Sequence, residues 1–429
     1  MPVERRVVVI GAGPAGIGAG IALGQDAVVV DGCPELGGLA RTLELDGAVF
    51  DLGGHSFHTP HGDVRALVAS SLDMVEQPRD ARCFSHGQMI PYPFQAHFRE
   101  LDDPEVVREC AAGLVVAGGG GGAASNLEEF LSDRYGAGIA EYFLLPYNRK
   151  LWRVDLRHLA VDWVGERIAA PEGTREAFAE SGGRRRPLQD DTTVAYPASG
   201  GFGEIWRALA RRLGDLRLGK SVVRVDPLRR EISLFGGEVL RWQRLVSTMP
   251  LTELLTLLPD VPKDLLGDAD QLGFLSLALV LVVIGHPVDT SIQRVYCAGS
   301  ESPSHKTVVN HTSSPHLRSL PHHGIVAEVS CPVGQIWRPG ELENQVIEGL
   351  VKMRLIKAPS EVRSARIVRV RYGYPVPTHD RPAIVERLRR WLEERGIHTV
   401  GRFGEWAYIN SDEALQRGLV LGRALLESA

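Results

Sequence analysis

The sequence is most informative at first through what it has little of. There are only five cysteines in 429 residues (Cys33, Cys83, Cys110, Cys297 and Cys331), an odd number without a C-x-x-C pair. That excludes a disulfide framework and a thiolate metal site, and it points to reduced thiols in a cytoplasmic protein. No apolar run approaches the about 18 residues that span a bilayer. The longest, Phe274 to Ile284, reads as a buried strand. The first residues pass directly into a strand pattern, which leaves no room for a signal peptide. An excess of positive charge is also lacking. The formal net charge is −5, so no nucleic-acid surface is expected. Arg184-Arg185-Arg186, flanked by glycines and Pro187, reads as a solvated loop. Internal repeats are absent as well.

What is present begins at the N-terminus. Val7-Val8-Val9-Ile10 runs into Gly11-Ala12-Gly13-Pro14-Ala15-Gly16 and then into small residues of helical character. This is the strand–turn–helix opening of a dinucleotide-binding unit. Gly11 permits the turn, Gly13 lets backbone approach a pyrophosphate, and Gly16 allows close helix–strand packing. A second apolar strand, Ala27 to Val30, ends in Asp31, roughly 20 residues on, where an acid can receive a ribose hydroxyl. Leu36-Gly37-Gly38-Leu39-Ala40-Arg41 adds bare backbone and a cation beside the same phosphates.

Further along, Phe50 to His58 is a glycine-hinged segment carrying His55 and His58, able to pass beneath a flat ring. Pro91-Tyr92-Pro93-Phe94-Gln95 is stiff and aromatic. From about 102 to 180 the pattern is helical, interrupted by five consecutive glycines between Ala117 and Ala123 and broken near Pro146 and after Trp152. Arg167, in a mixed apolar segment, has the fork geometry that grips a diphosphate. Ser221 to Val225, Leu245 to Pro250 and His398 to Gly404 read as strands returning to the nucleotide domain, and Ser411 opens a last helix.

Taken in order, these stretches resemble the UDP-galactopyranose mutases, within the larger group of FAD-dependent amine-oxidase-like flavoproteins. The glycine-rich turn and Gly37 to Arg41 carry the resemblance to the large group. Gly53-Gly54-His55, Pro91 to Gln95, Pro146 to Trp152, Trp163 to Pro171, Gly373-Tyr374-Pro375 and Gly401 to Tyr408 are similar to the mutases, in several places to the eukaryotic type. The fold implied is α/β. It has a Rossmann-like FAD-binding domain (1–90, 200–260 and 365–429), a mostly helical insertion (95–185) and an antiparallel-sheet substrate domain (186–200 and 261–364).

The activity implied is redox-neutral. Reduced FAD attacks the anomeric carbon of a nucleotide-diphosphate sugar through N5, and the covalent adduct lets pyranose and furanose interconvert. An external reductant such as NADPH is implied. An oxidase or desaturase on the same scaffold is the alternative. Residue by residue, the resemblance implies catalytic roles for His55, Arg167, Lys306 and Arg402. It implies substrate contacts from Tyr92, Gln95, Asn148, Trp152, Asp191, Tyr374, Tyr408 and Asn410. FAD contacts fall on Gly11, Gly13, Pro14, Ala15, Gly16, Asp31, Gly38, Leu39, Arg41, Gly53, Gly54, His55, Val223, Gly401, Arg402, Tyr408, Asn410 and Ser411. The chain departs from the pattern where Lys306 replaces a diphosphate-binding arginine, so a fork becomes a point charge. It also departs at His58, Asp191, His97 and Asn410. These leave the nucleotide and the sugar open, as is the oligomeric state.

Overall fold

The computed structural model describes residues 3–117, 124–164, 168 and 193–427. The five-glycine loop, Arg167, Asp191 and the Arg184-Arg185-Arg186 run lie outside the described residues.

Two seven-stranded sheets dominate the chain. At the centre of the first lies β1 (Val3–Ile10), paired in parallel with β2 (Ala27–Val30) on one side and with Val239–Ser247 on the other. Ile397–Thr399 joins the far edge of Val239–Ser247, also in parallel. All four residues of β2 are buried, as expected of a strand covered on both faces. Between β1 and β2 runs α1 (Pro14–Leu23), with Pro14 in its first turn, where a missing N–H costs nothing. Gly11 takes φ +106°, and a Cβ there would sit 2.0 Å from Thr248 Oγ1. The last helix, Ser411–Glu427, lies against α1 so closely that a Cβ on Gly418 would meet the Ala15 carbonyl at 2.0 Å.

The second sheet has the order 362–375, 274–284, 323–331, 306–309, 294–297, 81–85, 88–91. Neighbours run antiparallel except for 294–297 beside 81–85, which are parallel. The expected boundaries therefore shift. Strands 81–85 and 88–91, and the whole of 362–375, hydrogen-bond into this sheet rather than the nucleotide sheet. Local patterning marks a strand but not its partner, which is why their sheet was misplaced. Phe274–Ile284 is the buried strand expected, and all five cysteines are free thiols.

Helices Pro104–Ala117, Leu127–Tyr135 and Leu145–Trp152 share one core cluster with a face of the second sheet. The helical path is not broken at Pro146: a π-helical turn, Ala140–Leu144, leads into it, and Pro146 occupies the first turn of the next helix. The path does end after Trp152, at Arg153 in a left-handed conformation. Among the described residues no helix is long and apolar enough to cross a membrane.

Candidate functional site

A cavity of about 700 Å³ runs from the glycine-rich turn of the first sheet to the face of the second. Its near end is built for a dinucleotide. Gly11, Gly13, Pro14, Ala15, Asp31, Gly38, Leu39 and Arg41 all line it. A Cβ on Gly13 would meet only Gly38 Cα, at 3.9 Å, so two bare backbones face each other across an open cradle at the N-terminus of α1. Free N–H groups and the positive end of the helix dipole favour a diphosphate there. Asp31 is held at the end of β2 by the N–H groups of Ala12 and Cys33, both at 2.7 Å. Gly16 acts one step back from the cavity: a Cβ there would lie 1.8 Å from the Gly11 carbonyl oxygen, so it protects the turn itself.

One residue of this set falls on the wrong side. Val222 lines the cavity, whereas Val223 is 48% exposed. The ladder is irregular between Val222 and Arg224, and this bulge leaves Val223 and Arg224 both exposed.

In the middle of the cavity Gly53, Gly54 and His55 pass along the wall. His55 stacks on Phe202, with ring centroids 4.9 Å apart and planes 17° apart. Burial, together with the charges of Lys306 and Arg402, pushes its pKa down to about 3, so the imidazole is neutral at working pH. Phe202 is fixed by its N–H, which donates to the buried carboxylate of Asp51 at 2.9 Å. Asp51 also accepts from Thr42 and Tyr196, and burial raises its pKa to about 6.

The far wall is aromatic and cationic. Lys306, Arg402, Tyr374, Tyr408, Tyr92, Gln95, Asn148, Asn410 and Ser411 also line the cavity. Arg402 donates from Nε and Nη2 to the Ile409 carbonyl (3.0 and 2.6 Å) and from Nη1 to Gly373 (3.3 Å). Its guanidinium lies 5.7 Å and 5.9 Å from the Tyr374 and Tyr408 ring centroids. It thereby ties the Ile409 loop to strand Val362–Pro375 while lining the cavity. Asn148 donates to the Leu144 carbonyl at 2.8 Å, leaving its amide oxygen available to the cavity.

Trp152 does not line the cavity. It is fully buried behind the wall, edge-on to Trp163, Tyr374 and Tyr408 at 5.1, 6.3 and 5.5 Å. A large apolar ring shields more area as a backing than as a contact, so Trp152 orients the tyrosines rather than touching a ligand.

Sequence reasoning missed Glu328. This carboxylate, 1% exposed on strand His323–Cys331, accepts from Lys306 Nζ at 2.8 Å, the Gly54 N–H at 2.7 Å and the Tyr374 hydroxyl at 3.2 Å. His305 Nε2 lies 3.6 Å away. Burial alone would raise its pKa; Lys306 and His305 overcome that and hold the carboxyl ionised, well below the usual range. The signal was available as a lone acid inside Ile325-Val326-Ala327-Glu328-Val329. Tyr147, Tyr296 and Arg294, also on the wall, were likewise missed.

With this geometry in place, the comparisons with known proteins are consistent. Residues 19–401 match the flavin containing amine oxidoreductase family. A crystal structure of reduced UDP-galactopyranose mutase superposes with a TM-score of 0.90 at 25% identity, over 100% of this chain and 95% of that one. A protoporphyrinogen oxidase candidate from Exiguobacterium sp. 255-15 follows at 0.72 and 19%, over 100% of both chains. Cyclohexylamine oxidase from Brevibacterium oxydans follows at 0.68 and 16%, over 99% of each. The chain belongs to the flavin containing amine oxidoreductase family, whose cofactor is a flavin. FAD is the flavin that the cradle at Gly11–Gly16 and the acid at Asp31 fit.

Proposed function

We propose that this member of the family is an FAD-dependent mutase that interconverts the pyranose and furanose forms of a nucleotide-diphosphate sugar. The observation that carries the reading is the far wall. Lys306, Arg402, Tyr374 and Tyr408 converge on one cavity beside a histidine that stays neutral. Cations and phenols there are suited to a departing diphosphate, and neutral His55 is unsuited to general acid catalysis. When bound and reduced, FAD supplies a nucleophilic nitrogen for the anomeric carbon, so ring form changes without net oxidation.

The chain's own residues do the rest. Tyr374 and Tyr408 offer hydroxyls to the leaving diphosphate, and Arg167 adds a fork. Tyr92 and Gln95 receive the base. Asn148 and Asn410 orient the sugar, and the Trp152 backing excludes water. NADPH or a comparable donor supplies the electrons, in a cytoplasmic setting that the five free thiols favour.

The likeness to cyclohexylamine oxidase favours a second reading, an oxidase or desaturase acting by hydride transfer. Positional isotope exchange separates the two. With 18O in the bond joining the anomeric carbon to the diphosphate, scrambling into non-bridging positions by reduced protein supports the mutase. No scrambling, with flavin bleached by substrate, supports the oxidase.

A further inference from the structure

We propose that Arg294 is a bidentate oxyanion-binding residue of this cavity, and that it selects a substrate by an anionic group that the substrate carries. The proposal rests on the nucleotide-sugar reading and deepens it. Arg294 opens strand Arg294–Cys297, is only 9% exposed and lines the cavity beside Ser56 and Tyr296. Its Nη2 donates to Ser56 Oγ at 3.2 Å, while its Nε is shielded from water and has no hydrogen-bond partner. Among the described residues no carboxylate lies within ion-pair distance of it.

Its neighbours are differently placed. Three cations act on His55: Lys306, Arg402 and Arg294. Lys306 is already paired with Glu328, and Arg402 is engaged by the Ile409 and Gly373 carbonyls. Among the described residues, Arg294 alone of these three has neither a carboxylate nor a backbone carbonyl against its charged group. A guanidinium is charged at any working pH, and burying it without a counter-charge is costly. A ligand oxyanion offsets that cost, and the planar fork matches a carboxylate or a phosphate.

Register fixes where that oxyanion lies. Tyr296 stands directly across from Lys306, and Arg294 across from Val308, so the two cations share a face diagonally. Ser56 ties Arg294 to the His55 loop, and Tyr296 packs on Tyr92 at 4.8 Å. The anion therefore sits between the ring-side loop and the aromatic end. Two sources share this chemistry: the diphosphate, and an acidic substituent on the sugar.

The test is equilibrium titration of FAD-loaded wild type, Arg294→Gln and Arg294→Lys with UDP, GDP and dTDP, their galactose conjugates and UDP-galacturonic acid. At least a tenfold loss of affinity is expected in Arg294→Gln, partly recovered in Arg294→Lys. A loss already present with the nucleoside diphosphate alone assigns the diphosphate. A loss confined to UDP-galacturonic acid assigns the sugar carboxylate. Wild-type affinity in both variants, for every ligand that wild type binds, overturns the proposal and leaves the nucleotide-sugar reading standing. A wild-type protein that binds no member of the panel overturns that reading, and this proposal with it. Should Arg294→Gln fail to retain FAD, Arg294→Lys carries the test, since wild-type affinity without the fork is again contrary.

Discussion

Lys306 Nζ lies 2.8 Å from Glu328 Oε1, with Lys306 15% and Glu328 1% exposed at the side chain, so the cation facing the cavity is held by an internal carboxylate. The two residues are directly opposed in the sheet ladder. The same carboxylate receives the Gly54 N–H and the Tyr374 hydroxyl, and thereby joins the Gly53–His55 loop to strand Val362–Pro375.

Glu328→Gln is expected to destabilise the protein by about 3 kcal/mol, because removing one partner leaves a largely buried ammonium without its counter-charge. Chemical denaturation at pH 7 measures this. A loss below about 1 kcal/mol would show that Lys306 finds water or another acceptor instead.

Phe202→Ala is expected to cost about 3–5 kcal/mol, the usual range for emptying a buried aromatic site. It also removes the ring on which His55 stacks. The protein should therefore lose FAD affinity along with stability. Fluorescence titration of FAD into the apo variant checks the second effect, which a remote core cavity would not produce.

Much of this was legible in the sequence, and the failures have physical causes. The Gly11–Gly16 turn, Asp31 and the Phe274–Ile284 strand are local signals, and each lies where expected. Glu328 and Arg294 were missed because their meaning comes from register: Lys306 is opposite Glu328 on one side and Tyr296 on the other, pairings no single stretch reveals. Val223 sits at a bulge in its strand, which turns side chains in a way the sequence pattern does not mark. Trp152 was placed on the cavity wall because burial behind a tyrosine and contact with a ligand look alike in sequence.

Acid is expected to weaken the fold below pH 6.5. His55 and His311 both have pKa values pushed down to about 3, chiefly by burial. Between pH 6.5 and 3 the unfolded chain binds protons that the folded one refuses, so stability falls as pH falls. Asp51 opposes this between about 6 and 3.8, since its raised pKa lets the folded state take up a proton first. Burial also lowers His305, His323 and His398 and raises Asp412, so five histidines act against two aspartates and the net effect of acid is a loss of stability. Urea midpoints at pH 7.5 and pH 5 measure it, and an equal or higher midpoint at pH 5 would contradict the assignment.

Gly11→Ala is expected to yield protein without flavin, since the added Cβ would meet Thr248 Oγ1 at 2.0 Å and φ is +106°. Gly24→Ala is the control: its φ is +60°, but no atom lies within 4 Å of the added Cβ. The ratio of flavin to protein absorbance after purification compares them, and full flavin content in Gly11→Ala would remove the turn from the cofactor site.

The central claim is tested most directly by anaerobic turnover. The purified protein, oxidised or dithionite-reduced, is incubated with UDP-, GDP- and dTDP-sugars in both ring forms, and the products are separated by chromatography. Interconversion of pyranose and furanose by the reduced protein alone, with the flavin still reduced at the end, is the expected result. Reduction of the oxidised flavin by substrate, with no change of ring form in either state, would contradict it and place the protein among the oxidases.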